Sequence, residues 1–122
     1  MRYLALIYTP EPDPATAPPV GRESEAYAAF TREARERDIM RAGEALQPTT
    51  TATTVRVRDG RTMVSDGPYA ETKEALGGFY LFECSDIDTA IELAAKIPGA
   101  AYGAIELRPI WEFEASMPST DG

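Results

Sequence analysis

Asp66-Gly67-Pro68-Tyr69-Ala70-Glu71-Thr72-Lys73-Glu74-Ala75-Leu76-Gly77-Gly78-Phe79-Tyr80-Leu81-Phe82-Glu83 is the stretch on which the reading of this chain turns. Asp66-Gly67-Pro68 is strong backbone punctuation: Asp bonds its own backbone, Gly supplies positive φ, and Pro fixes φ and removes a donor. Ala70 to Leu76 has the composition of a short helix, and the Gly77-Gly78 pair is expected to stop it. Phe79 to Phe82 is continuous, aromatic and apolar, as a short buried strand is. Two readings of the charged segment stand side by side. A loop presents Asp66, Tyr69, Glu71 and Lys73 at a pocket, or a tight crossover turns its charges to water.

Upstream, Thr53–Arg58 and Arg61–Ser65 are β-rich runs separated by Asp59-Gly60, a strong two-residue hairpin signal. That register sets Arg58 against Arg61, Val57 against Thr62 and Val55 against Val64. Val55, Val57, Thr62 and Val64 then share one face; Arg56, Arg58, Arg61 and Met63 share the other. The three arginines form either an anion site or a solvated face in an acidic protein. Met40 to Gln47 is expected to be a strand containing Glu44, which points inward or outward; inward, it needs a partner. Ser24 is expected to cap a helix to about Asp38, with Tyr27, Phe30 and Ala34 on its apolar face. Arg2 to Tyr8 is apolar on both faces, which predicts a central strand. Thr9 to Gly21 holds five prolines and is expected to be a loop.

Downstream, Ser85 is the expected cap of a second helix lined by Ile87, Ile91, Ala94 and Ile97. Pro98-Gly99 ends it. Tyr102 to Ile110 is the last expected strand, with Ile105 and Leu107 inward and Glu106 and Arg108 opposite. Pro109 places it at a sheet edge. Trp111 and Phe113 are apolar for an extension and would cover a partner or the fold itself. Residues 1–115 are expected to form one domain and residues 116–122 a disordered tail.

Twenty acidic residues against 12 basic give a net charge of −8. Nucleic acid is therefore a poor partner. No run approaches the roughly 20 apolar residues of a membrane helix. Cys84 is the single cysteine, so no intrachain disulfide forms, and its neighbours do not favour a thiolate. A cytoplasmic location is expected. The chain has no histidine, which removes the commonest general base and metal ligand. Acid–base work would fall to Asp, Glu, Lys, Tyr or Cys84. There is no phosphate-binding glycine loop and no metal-ligand spacing, so no cofactor is expected.

Asp-Gly-Pro-(aromatic)-Ala-Glu-Thr-Lys-Glu-x-Leu-Gly-Gly-Phe-Tyr resembles the signature of the DGPF proteins within the YCII-related family, with Tyr69 in the fourth position. Arg2–Tyr8, Gly43–Pro48, Thr53–Arg56 and Ile105–Ile110 resemble the family's first strand, middle and last strand. The resemblance implies a ferredoxin-like α+β fold, dimerising as an α/β barrel, here with an inserted β-hairpin. It also implies frequent association with extracytoplasmic-function sigma factor systems. A His-Asp pair is suggested in the broader family; where DGPF relatives commonly carry His, this chain has Tyr102-Gly103.

Two helices cover only one face of such a sheet, so a second copy is expected on the other. A cleft would take a small-molecule ligand. As an enzyme without cofactor, the protein would transfer a proton on a small organic acid or lactone. Asp66 would shuttle the proton, and Lys73 or Arg108 would hold an oxyanion. Tyr69 or Tyr80 would stack or donate, with Glu44 and Glu71 completing the substrate site. As a non-catalytic module, the same pocket would sense a ligand or support a regulatory partner.

Overall fold

The computed structural model describes residues 1–11 and 20–113. Most of the proline-rich stretch and the tail at 116–122 lie outside these residues. Six strands and two helices follow in the order β1 (Arg2–Thr9), α1 (Val20–Glu36), β2 (Met40–Ala45), β3 (Thr53–Arg58), β4 (Arg61–Asp66), β5 (Ala75–Glu83), α2 (Ile87–Ala94) and β6 (Ala104–Pro109). Single 3₁₀ turns lie at Thr49–Thr51 and Pro98–Ala101. No described helix is long and apolar enough to cross a membrane.

Four strands form an antiparallel sheet in the order β2-β5-β1-β6, and β3-β4 form a separate ribbon. This is compatible with a ferredoxin-like fold carrying an inserted hairpin. As expected, β1 is central and β6, with Pro109, is an edge. The alternation of β1 sends Tyr3, Ala5 and Ile7 to one face, where they are buried. Both helices pack on that face. Phe30 and Ala34 of α1 and Leu93 and Ala94 of α2 join Ala5, Ile7, Tyr80 and Phe82 in one core.

Four expectations need correction. First, α1 already runs at Val20, so Ser24 lies inside it and does not stand at its start. Its end is well defined. Asp38 takes a left-handed φ of 55°, Asp38 N–H donates to Arg35 O at 3.0 Å, and Ile39 N–H donates to Ala34 O at 3.1 Å. This is a Schellman closure, and buried Ile39 and Ala34 supply its apolar contact.

Second, α2 is capped by Asp86, one residue later than Ser85. Asp86 accepts from Thr89 N–H and Thr89 Oγ1, both at 2.8 Å. Third, its inward stripe is Ala90, Leu93, Ala94 and Ile97, while Ile87 and Ile91 are exposed. The small Ala90 and Ala94 let the helix backbone approach the sheet, which rotates the isoleucines to the rim.

Fourth, Ala70 to Leu76 is not a helix. It is irregular to Glu74, with the Thr72 hydroxyl turned onto Glu74 O, and then enters β5. Gly77-Gly78 therefore lies within a strand. Gly77 is the extra residue of a bulge between the Ile7–Gly78 and Tyr8–Leu76 pairs. Gly78 is where β2 comes close: a Cβ there would stand 2.8 Å from Glu44 O.

Candidate functional site

The hairpin forms in the register expected from Asp59-Gly60. Asp59 and Gly60 have φ of 51° and 73°, as a type I′ turn requires, and Val55–Val64, Val57–Thr62 and Arg58–Arg61 are paired. Past β4 the chain reverses at Gly67, whose φ is 103°. Gly67 N–H donates to Ala52 O at 2.8 Å, and Gly67 O accepts from Thr54 Oγ1 at 2.8 Å. The turn is thus fastened through backbone and Thr54. The Asp66 carboxylate is exposed and makes no hydrogen bond or ion pair among the described residues.

This turn delivers Tyr69 to the arginine face of the hairpin. Arg56 Cζ lies 4.9 Å from the centroid of the Tyr69 ring, within cation–π range. Together with Thr54, Met63, Val64, Ser65 and Pro68 they line a shallow groove of about 240 Å³. No carboxylate lies within 4.0 Å of Arg56, Arg58 or Arg61 among the described residues. Arg56 therefore keeps its donors for an anion while its plane rests on an aromatic ring, a combination suited to a carboxylate or phosphate group. Asp66 immediately follows Ser65 of the lining. Glu71 and Lys73 continue the same exposed segment, without ion pairs among the described residues.

The remaining candidates stand elsewhere. Glu44 is exposed on β2, opposite Phe79. Arg108 is on β6 and its Nε is held by Glu106 Oε2 at 2.9 Å. Cross-strand register aligns Glu44, Phe79, Leu6 and Glu106 in one row and Ala42, Leu81, Leu4 and Arg108 in the next. Both rows lie on the sheet face away from the helices. Glu44 and Arg108 thus sit on opposite edge strands, whose axes are about 14 Å apart by three strand spacings, and in neighbouring rows. Leu4, Leu6, Phe79 and Leu81 form an apolar centre between them.

Tyr80 points the other way, into the core, at 8% exposure. Its ring lies 5.0 Å from Phe30 and 6.1 Å from Phe82, and its hydroxyl bonds Thr31. Burial raises the Tyr80 pKa above the ordinary tyrosine value, partly offset by Thr31. One further contact steadies the loop beside the ribbon. Glu11 accepts from Thr49 N–H at 2.6 Å and Thr49 Oγ1 at 2.8 Å, and these bonds lower its pKa. No group of three or more His, Cys, Asp or Glu able to hold a metal ion occurs among the described residues.

The sequence pairs Arg56 with Met63 across the hairpin but gives no sign that Tyr69 stacks on it. That contact depends on the path of the chain through Gly67 and Pro68.

A family model described as YCII-related domain matches residues 1–114. An uncharacterized protein of Rhizobium meliloti (strain 1021) is 36% identical over 117 residues, which is 90% of this chain and 92% of that protein.

Proposed function

This chain belongs to the YCII-related family, and we propose that it is a cytoplasmic homodimer that binds a small organic acid. The observation that carries the ligand is the Arg56 guanidinium over Tyr69, at a groove shaped by the turn Asp66-Gly67-Pro68. Arg56 holds the carboxylate of the acid, and Tyr69 and Pro68 offer flat apolar surface to its body. Lys73 and Glu71, on the segment that follows, select among ligands by charge. The observation that supports the homodimer is the sheet face bearing Leu4, Leu6, Phe79 and Leu81, which no helix among the described residues covers. Glu44 and Arg108 rim that face and meet the second copy. Tyr80 is left out of the site, because Phe30, Phe82 and Thr31 already occupy its surroundings.

A second reading adds turnover at the same groove. Asp66 is not needed to hold its turn, and a carboxylate free of structural duties is available to move a proton on a bound acid. In that reading Asp66 is the acid–base and Lys73 stabilises the enolate oxygen.

A thermal-shift panel of small organic acids and lactones tests both, with turnover followed by NMR. A ligand at a hundred times its Kd adds about 2.7 kcal/mol of stability. The shift is expected to vanish in Arg56→Gln. A panel without hits, or a shift that survives Arg56→Gln, refutes the binding site. Asp66→Asn separates the two readings: lost turnover at an unchanged melting temperature supports catalysis, and no turnover in the parent protein rejects it.

A further inference from the structure

We propose that the acid taken by the ribbon groove is a phosphate monoester, with its phosphate held by Arg56, Arg58 and Arg61 and its body laid against Tyr69 and Pro68. The inference rests on the reading above that Arg56 and Tyr69 bind an organic acid, and it names the class of that acid.

Arg58 and Arg61 lie beside the groove, on the same face of the ribbon as Arg56. Strand alternation places Arg58 about 7 Å beyond Arg56 toward the tip, and the register sets Arg61 directly opposite Arg58, about 5 Å away. Like charges directly opposite each other destabilise a ribbon. A carboxylate is the ordinary remedy, and this chain has 20 acidic residues against 12 basic ones. Yet no carboxylate lies within 4.0 Å of Arg56, Arg58 or Arg61 among the described residues, not even that of Asp59 in the turn between the last two. Arg58 Nη1 donates to Val57 O at 3.0 Å, and Arg61 makes no side-chain hydrogen bond among the described residues. The repulsion of the pair is left for an anion from outside to relieve.

Three guanidinium forks around one point suit a phosphate better than a carboxylate. A phosphate monoester carries about −1.5 to −2 charges at pH 7 and three strong acceptor oxygens. A carboxylate carries one charge and two oxygens, which Arg56 alone satisfies. The place of the cluster then orients the ligand. The groove runs from the Thr54–Ser65 pair, next to the Gly67-Pro68 turn, to the Arg56–Met63 pair, and the Arg58–Arg61 pair follows toward the tip. A phosphate at the arginines leaves the body of the ligand over Met63, beside Tyr69 and Pro68. At about 240 Å³ the groove is below the roughly 300–1,000 Å³ of drug-sized sites, so that body is a single ring or a short chain.

Charge also favours a compact anion over a long one. Residues 53–66 hold three basic and two acidic residues; removing them from 12 and 20 leaves 9 against 18, or −9, on the rest of the chain. A polyanion crossing that surface is repelled. A single phosphate at the ribbon tip feels chiefly the arginines, because charges beyond about 8 Å are screened at physiological salt.

The test is isothermal titration calorimetry at fixed ionic strength with phenyl phosphate, benzoate and inorganic phosphate, on wild-type protein and on Arg58→Gln/Arg61→Gln. Without ligand the double variant is expected to melt no lower than wild type, since it loses a like-charge pair. Wild type is expected to bind phenyl phosphate at least about tenfold tighter than benzoate. The variant is expected to lose that preference while Arg56 still binds benzoate. Inorganic phosphate is expected to bind wild type more weakly than phenyl phosphate, because it offers no body to Tyr69 and Pro68. Equal affinity of wild type for phenyl phosphate and benzoate, or a preference that survives in the variant, overturns the phosphate site and leaves the organic-acid reading standing. Inorganic phosphate binding as tightly as phenyl phosphate overturns the ester and makes free phosphate the ligand. A variant that melts lower than wild type assigns the arginine pair to the fold and overturns the site. No binding of any of the three by wild type overturns both readings.

Discussion

Substituting alanine at Gly77 and Gly78 separately should give opposite results from adjacent positions. At Gly78 the new Cβ would stand 2.8 Å from Glu44 O and 3.4 Å from Ala45 Cα, both backbone atoms of β2. A contact under 3.0 Å is not tolerated, and neither neighbour is a side chain that can swing away. The β2–β5 pairing must open by about half an ångström, a form of overpacking that costs roughly 1–3 kcal/mol. Loss of glycine's freedom in the unfolded chain offsets about 0.4–1 kcal/mol of this. The net expectation for Gly78→Ala is a loss of about 1–2 kcal/mol, or roughly 4–8 °C in Tm for a domain of this size.

At Gly77 the nearest atom is Thr9 Oγ1 at 3.8 Å, an ordinary contact, and φ is not positive. Only the unfolded-state effect remains, so Gly77→Ala is expected to be neutral or to gain up to about 1 kcal/mol. Urea unfolding followed by far-ultraviolet circular dichroism measures both; the single Trp111 is 81% exposed and would report poorly. A Gly78→Ala protein as stable as wild type, or a larger loss at Gly77 than at Gly78, refutes the close-approach argument.

Two further outcomes follow from local geometry. Thr89 N–H, then the Thr89 hydroxyl, hold the Asp86 pKa below its ordinary value. A lowered carboxylate contributes stability that is full above its unfolded pKa and lost as pH falls through the folded one. Asp86→Asn keeps a capping side chain without the charge, so the urea midpoints of the two proteins should converge between about pH 5 and pH 2. A constant difference across that range would reject the charged cap. Gly60→Ala meets nothing within 4 Å but must hold φ near 73°. That strain of about 1–2 kcal/mol should speed amide exchange in β3 and β4 by roughly 5–30-fold while β1 and β5 keep their protection. Unchanged exchange in the ribbon would contradict the type I′ assignment.

What could be read from the sequence was what local chemistry fixes. Asp59-Gly60 sets both the turn and the register of its strands. Apolar residues at successive positions from Tyr3 to Ile7 reveal a strand flanked on both sides. The misread parts depend on distant neighbours. A glycine pair looks the same whether it ends a helix or admits another backbone, and only the arrival of Glu44 beside Gly78 distinguishes them. Ala70–Leu76 has helical composition but only about two turns' length, too little to repay nucleation without packing. Ser85 and Asp86 are both good caps, and the difference is the reach of one carboxylate to Thr89. The candidate site was visible as a dense stretch of residue types. Its division among the ribbon groove, the open sheet face and the core was not. Strand alternation separates Phe79 from Tyr80, and the partner of Tyr69 comes from a different strand.

The place of β1 at the centre of the sheet has a consequence for how the protein is made. Arg2 pairs with Glu83 and Tyr3 with Pro109, so β1, made before β5 and β6, waits for both before its ladder is complete. Such non-local pairing slows folding and prolongs exposure of the unpaired strand. The Leu4–Tyr8 segment is then a sticky edge for the duration of synthesis, and the yield of folded protein is expected to depend on chaperone capacity more than on the stability of the finished domain.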